Sequence, residues 1–109
     1  MDYEQRAEEL FREGYNCAQA VFLTFACEKM DQDEAARLAS AFGGGLAGTR
    51  NTCGAVSGLA MAYGLLRGYA DPQDKEAKRA EYEAVREMTE AFAQQNGSII
   101  CRELLGLGR

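Results

Sequence analysis

Three cysteines carry the chemistry open to this chain. Cys17, Cys53 and Cys101 each follow a residue suited to cap a helix, namely Asn16, Thr52 and Ser98, so all three are expected in the first turn of a helix. The free amides and aligned dipole at a helix N-terminus stabilise a thiolate, drawing a cysteine pKa down from about 8.5. Only the thiolate attacks disulfides or ligates soft metals. Converging helix starts would therefore serve either of two chemistries. One is thiol–disulfide exchange, with Cys53 as the attacking thiolate and Cys17 or Cys101 resolving the mixed disulfide. The other is a metal ion or iron–sulfur cluster bound by Cys17, Cys53 and Cys101 together. Cys27, expected in the last turns of its helix, has the opposite electrostatics and should be the least reactive of the four cysteines. Against both stands the plainer alternative that each cysteine is a small core residue, since free cysteine is often buried.

What is missing narrows the field. The 109-residue chain has no histidine, which removes Ser-His-Asp and Cys-His nucleophiles, HExxH zinc sites, mixed Cys/His fingers and CxxCH haem attachment. No CxxC occurs, so a thioredoxin-type motif and a standard zinc ribbon are excluded. The net charge of -5, from 12 Lys and Arg against 17 Asp and Glu, argues against nucleic acid or an anionic membrane as partner. No apolar run is long enough to insert in a bilayer, and the N-terminus MDYEQRAEEL lacks a secretory pattern, so the expected location is cytoplasmic. Four cysteines in a reducing compartment are not a disulfide scaffold.

The elements that must position the cysteines read as helices throughout. One domain over residues 1–109 is expected, an all-α, compact bundle of five to six helices. Its centre is expected to be an apolar, glycine-containing helix over about residues 53–68, because no charge falls between Arg50 and Arg67. Tyr3, Ala7, Leu10 and Phe11 give a first helix one apolar face, ending at Gly14. Asn16 and Gln19 form a capping-box pattern that opens a second helix with the stripe Ala18, Val21, Phe22, Phe25 and Ala26, running to about Lys29. Asp31 and Glu34 open a third, with Ala35, Leu38, Ala39 and Phe42 on its buried side.

In the central helix Gly54, Gly58 and Ala62 recur every four residues, a stripe that lets another backbone approach closely. Asp71 and Pro72 break the chain before a long charged helix to about Gln95, whose apolar side would be Ala77, Ala80, Ala84, Met88, Ala91 and Phe92. Asp74 with Lys78 and Arg79 with Glu83 sit four apart on its solvated face. Ser98 caps a last helix, IICRELLG.

Between the third and fourth helices lies a loop in which Gly43, Gly45 and Gly48 satisfy GxGxxG. Dinucleotide binding by that motif needs a preceding strand, whereas EAARLASAF is helical, so the match is rejected. Gly43, Gly44, Gly45 and Gly48 are instead expected to support the Cys53 helix start, along with Gly54 and Gly58, or to offer free amides to an anion. Arg50 and Arg102 are candidates to add positive charge there.

These blocks resemble a family. Asn16-Cys17-Ala18-Gln19-Ala20-Val21, then Cys53-Gly54-Ala55-Val56-Ser57-Gly58 behind the glycine loop, then Cys101-Arg102-Glu103-Leu104-Leu105-Gly106 are similar, in that order, to the C_GCAxxG_C_C family of small proteins described as redox-active. The resemblance implies that Cys17, Cys53 and Cys101 are family cysteines, and that the gene neighbourhood often contains transporters. The family pattern has a further cysteine downstream of the last block, which is absent up to Arg109, and Cys27 lies elsewhere. Three functions follow as expectations: a thiol redox protein with an unknown redox partner, a metal or iron–sulfur module, or a dimerisation module whose small-residue helix packs in a homodimer.

Overall fold

In the computed structural model, which describes residues 2–106, the chain is an all-α bundle. Among the described residues there are six α-helices: α1 (Tyr3–Arg12), α2 (Cys17–Ala26), α3 (Gln32–Ala39), α4 (Gly54–Arg67), α5 (Lys75–Asn96) and α6 (Cys101–Leu104), with a 3-10 turn, Ser40–Phe42, after α3. Among the described residues no helix is long and apolar enough to cross a membrane. The capping residues start the helices by the expected physics. Asn16 accepts from the Gln19 amide at 2.9 Å while Gln19 Oε1 accepts from the Asn16 amide at 3.0 Å, a complete capping box. Asp2 and Asp31 cap α1 and α3 in the same way, each accepting from the amide three residues on.

The most enclosed helix is α2, where α4 was expected. Ala18, Ala20, Phe22, Leu23, Thr24 and Ala26 of α2 are buried, far more of its circumference than the predicted stripe. It sits against α1 on one side, α3 on another and α4 on a third. Burial of Phe22 alone is worth about 1.5–3 kcal/mol. α4 carries no charge before Arg67, yet only Gly54, Val56, Gly58 and Ala62 are buried, and Leu65 and Leu66 stay exposed. Its far flank is covered only by α5, which has no buried residue at all.

The small-residue stripe packs as expected. A Cβ at Gly58 would stand 2.8 Å from the Ala18 carbonyl oxygen and 3.1 Å from Val21 Cβ, so the two backbones meet with no room for a side chain. Hence α2 and α4 are held at one depth and one register, which fixes how their first residues stand to one another.

Other expectations give way to packing. Tyr3 and Phe11 of α1, expected in the core, are 53% and 59% exposed, as is Leu38 of α3 at 54%. Tyr3 instead stacks on Phe25, ring centroids 4.9 Å apart. Ala80 and Ala91 of α5 face solvent. Asp74 is the N-cap of α5, accepting from the Ala77 amide at 3.0 Å, and Arg12 with Glu8 is the one ion pair among the described residues.

Candidate functional site

Cys17 is the first residue of α2, as the capping box requires. Cys53 stands one position earlier than expected: it is itself the N-cap of α4, in place of Thr52, and makes no side-chain cap hydrogen bond. Cys101 opens α6, whose N-cap is Ile100 rather than Ser98. Ser98 acts one turn earlier, its hydroxyl accepting from the Ile100 amide at 2.9 Å.

The reason for both shifts is a contact that local patterns do not encode. Thr52 pairs with Ile100 in an isolated antiparallel bridge. The Cys53 amide donates to the Ile99 carbonyl at 2.7 Å and the Cys101 amide to the Asn51 carbonyl at 2.6 Å. Cys53 and Cys101 each lie one residue beyond the bridged pair. The bridge thus brings the two cysteine-bearing segments side by side.

Cys17 reaches the same place from α2. A Cβ on Gly54 would overlap the Cys17 sulfur and come within 3.1 Å of the Phe42 carbonyl oxygen, so the glycine after Cys53 is the seat of the Cys17 thiol. The start of α2 is held in turn by α3 and the 3-10 turn that follows it. Asn16 Nδ2 donates to the Ser40 carbonyl at 3.0 Å, and Gln19 Nε2 to the Ala36 carbonyl at 2.9 Å. The Asn16 side chain fills the space where Gly43 would carry a Cβ.

As a result Cys17, Cys53 and Cys101 line a single cavity of about 370 Å³. All three are half-buried free thiols, whereas Cys27, the C-cap of α2, is exposed and away from them. Phe11, Leu104 and Leu105 supply apolar wall. Sequence periodicity hides Phe11 as a core residue, and its exposure is the signal that it belongs to this site.

The loop between Phe42 and Cys53 is wound left-handed. Gly44, Gly45 and Gly48 have positive φ, and so do Leu46, Ala47 and Arg50, at 73°, 51° and 65°. Each non-glycine residue in that region costs roughly 1–2 kcal/mol. Close approach enforces part of this winding, since a Cβ on Gly45 would stand 2.6 Å from Arg50 Cα. The amides from Leu46 to Asn51 all donate to backbone carbonyls, among them Arg50 to Gly44 at 2.9 Å and Asn51 to Gly45 at 2.7 Å. Those six amides are spent within the loop. The positive charge at the site comes from a side chain: Arg50 lines the cavity, its Nη1 donating to Cys101 Sγ at 3.7 Å. Arg102 serves the loop instead, with Nη2 donating to the Thr49 carbonyl at 3.2 Å.

A family profile described as "Putative redox-active protein (C_GCAxxG_C_C)" matches residues 15–108. The chain belongs to the C_GCAxxG_C_C family. No curated protein matches it and no solved structure matches it. In this C_GCAxxG_C_C protein the glycine after Cys53 has a physical meaning, because it admits the Cys17 sulfur to the α4 N-terminus. Among the described residues no group of three or more Cys, Asp or Glu is gathered closely enough to hold one metal ion.

Proposed function

We propose that the chain is a cytosolic thiol redox protein working by thiol–disulfide exchange at Cys53, with Cys17 or Cys101 as the resolving cysteine. The observation that carries this reading is the meeting of three helix-start cysteines, far apart in sequence, on one cavity. The Cys53 thiolate displaces one sulfur of a substrate disulfide, forming a mixed disulfide and releasing the first thiolate. The second cysteine, as thiolate, attacks the Cys53 sulfur, releasing the other substrate thiolate and leaving a disulfide in the protein. Two electrons pass from the dithiol to the substrate, and a reducing partner returns them. α4 offers its uncapped first-turn amides beside Cys53, and Arg50 holds positive charge beside the Cys101 sulfur.

Equilibration of the full chain in glutathione buffers of graded potential, followed by acid trapping, alkylation and mass spectrometry, tests this. The expected product is an internal disulfide linking Cys53 to Cys17 or Cys101, with Cys27 alkylated. Oxidation confined to Cys27, with the other three thiols alkylated throughout, would refute the proposal.

A further inference from the structure

The cavity differs in charge from the rest of the molecule. The chain has 17 acidic against 12 basic residues, yet among the described residues no Asp or Glu lines the cavity and Arg50 is its one cation. Among the described residues Arg50 makes no ion pair, the single pair being Arg12 with Glu8. Arg102, the nearest alternative, is engaged by the Thr49 carbonyl. Arg50 is also set in place from both sides of its backbone: its amide donates to Gly44 at 2.9 Å and its carbonyl accepts from the Arg102 amide at 3.1 Å. The guanidinium lies beside Gly44, its Nη1 3.9 Å from where a Cβ would stand. Phe11, Leu104 and Leu105 give the same cavity an apolar lining. A volume of about 370 Å³ is in the range of small-molecule sites.

From this, and resting on the thiol-exchange reading, we infer that the cavity takes a low-molecular-weight disulfide with an apolar body and an anionic group, a carboxylate being the simplest, held by Arg50. The apolar body lies on Phe11, Leu104 and Leu105 while the disulfide meets the thiols. Attack breaks its sulfur–sulfur bond, forms the mixed disulfide and releases one half as an anionic thiolate.

Stopped-flow rates for the reduced, full-length Cys27→Ser protein measure this with two aromatic disulfides. These are 5,5′-dithiobis(2-nitrobenzoate), which is anionic, and 4,4′-dithiodipyridine, which is neutral. Arg50→Gln is expected to slow the anionic probe about fivefold and the neutral one less than twofold, the size of an exposed charge pair. Arg50→Lys should restore most of the difference, and added salt should shrink it. The ratio of the two rates cancels any general effect of Arg50 on thiol reactivity or on loop stability. Equal slowing of both probes, or none, overturns anion recognition and leaves thiol exchange standing. Reaction with a disulfide-bonded protein but with neither small probe also overturns it. Rates no faster than those of a free cysteine peptide with every disulfide would instead remove the thiol-exchange reading.

Discussion

The two seams of α4 are built differently. Toward α2, Gly54 and Gly58 bring backbone against backbone so closely that a methyl group would collide with Ala18. Toward α5 the two helices meet through Leu59, Val85, Met88 and Phe92, and no residue of α5 is buried. Tight packing is thus concentrated on the seam that fixes Cys17 beside Cys53, while the other seam only covers apolar surface. Interiors packed without voids transmit small displacements, whereas a loose seam absorbs them.

Paired substitutions put this contrast to the test. Phe22→Ala should cost about 3–5 kcal/mol in urea unfolding, because Phe22 is 1% exposed and surrounded. Phe92→Ala on the α5 seam should cost about 1–2 kcal/mol, as half-buried side chains lose less contact. Equal costs would mean that the two seams are equivalent. A sharper comparison is one substitution at two points of the same helix. Gly58→Ala should lower stability by about 1–2 kcal/mol, overpacking against Ala18 outweighing the gain in helix propensity. Gly64→Ala should raise it by about 0.5–1 kcal/mol, since its Cβ would meet only Glu81 Oε2 at an ordinary 3.5 Å. Thermal denaturation shifts of opposite sign are the expected result, and shifts of the same sign would break the comparison. The smallest contrast concerns the caps. Asn16→Ala, losing both the Gln19 amide and the Ser40 carbonyl, should cost about 1–2 kcal/mol, against about 0.5–1 kcal/mol for Asp74→Ala, whose only such bond is to Ala77. Urea midpoints compare the two.

Much of the fold was legible because its causes are local. Asn16 with Gln19 and Asp31 with Glu34 mark helix starts through hydrogen bonds spanning three residues, and the four-residue recurrence of Gly54, Gly58 and Ala62 marks a seam through helix geometry alone. The choice of α4 as the centre failed for an equally physical reason. Lack of charge permits burial, but enclosure depends on what the neighbours can cover, and the charged α5 covers little.

Local pattern was enough to read an all-α bundle of five to six helices, the small-residue seam and the three cysteines worth following. Tertiary contacts decided that they share a cavity, that Thr52 pairs with Ile100 and so moves Cys53 and Cys101 to their places, and that the Arg50 side chain reaches that cavity. The difference is one of range. Caps and periodicity act within a turn or two of chain, whereas the pairing of residues 51–53 with 99–101 joins segments almost fifty residues apart, and no local propensity specifies its register.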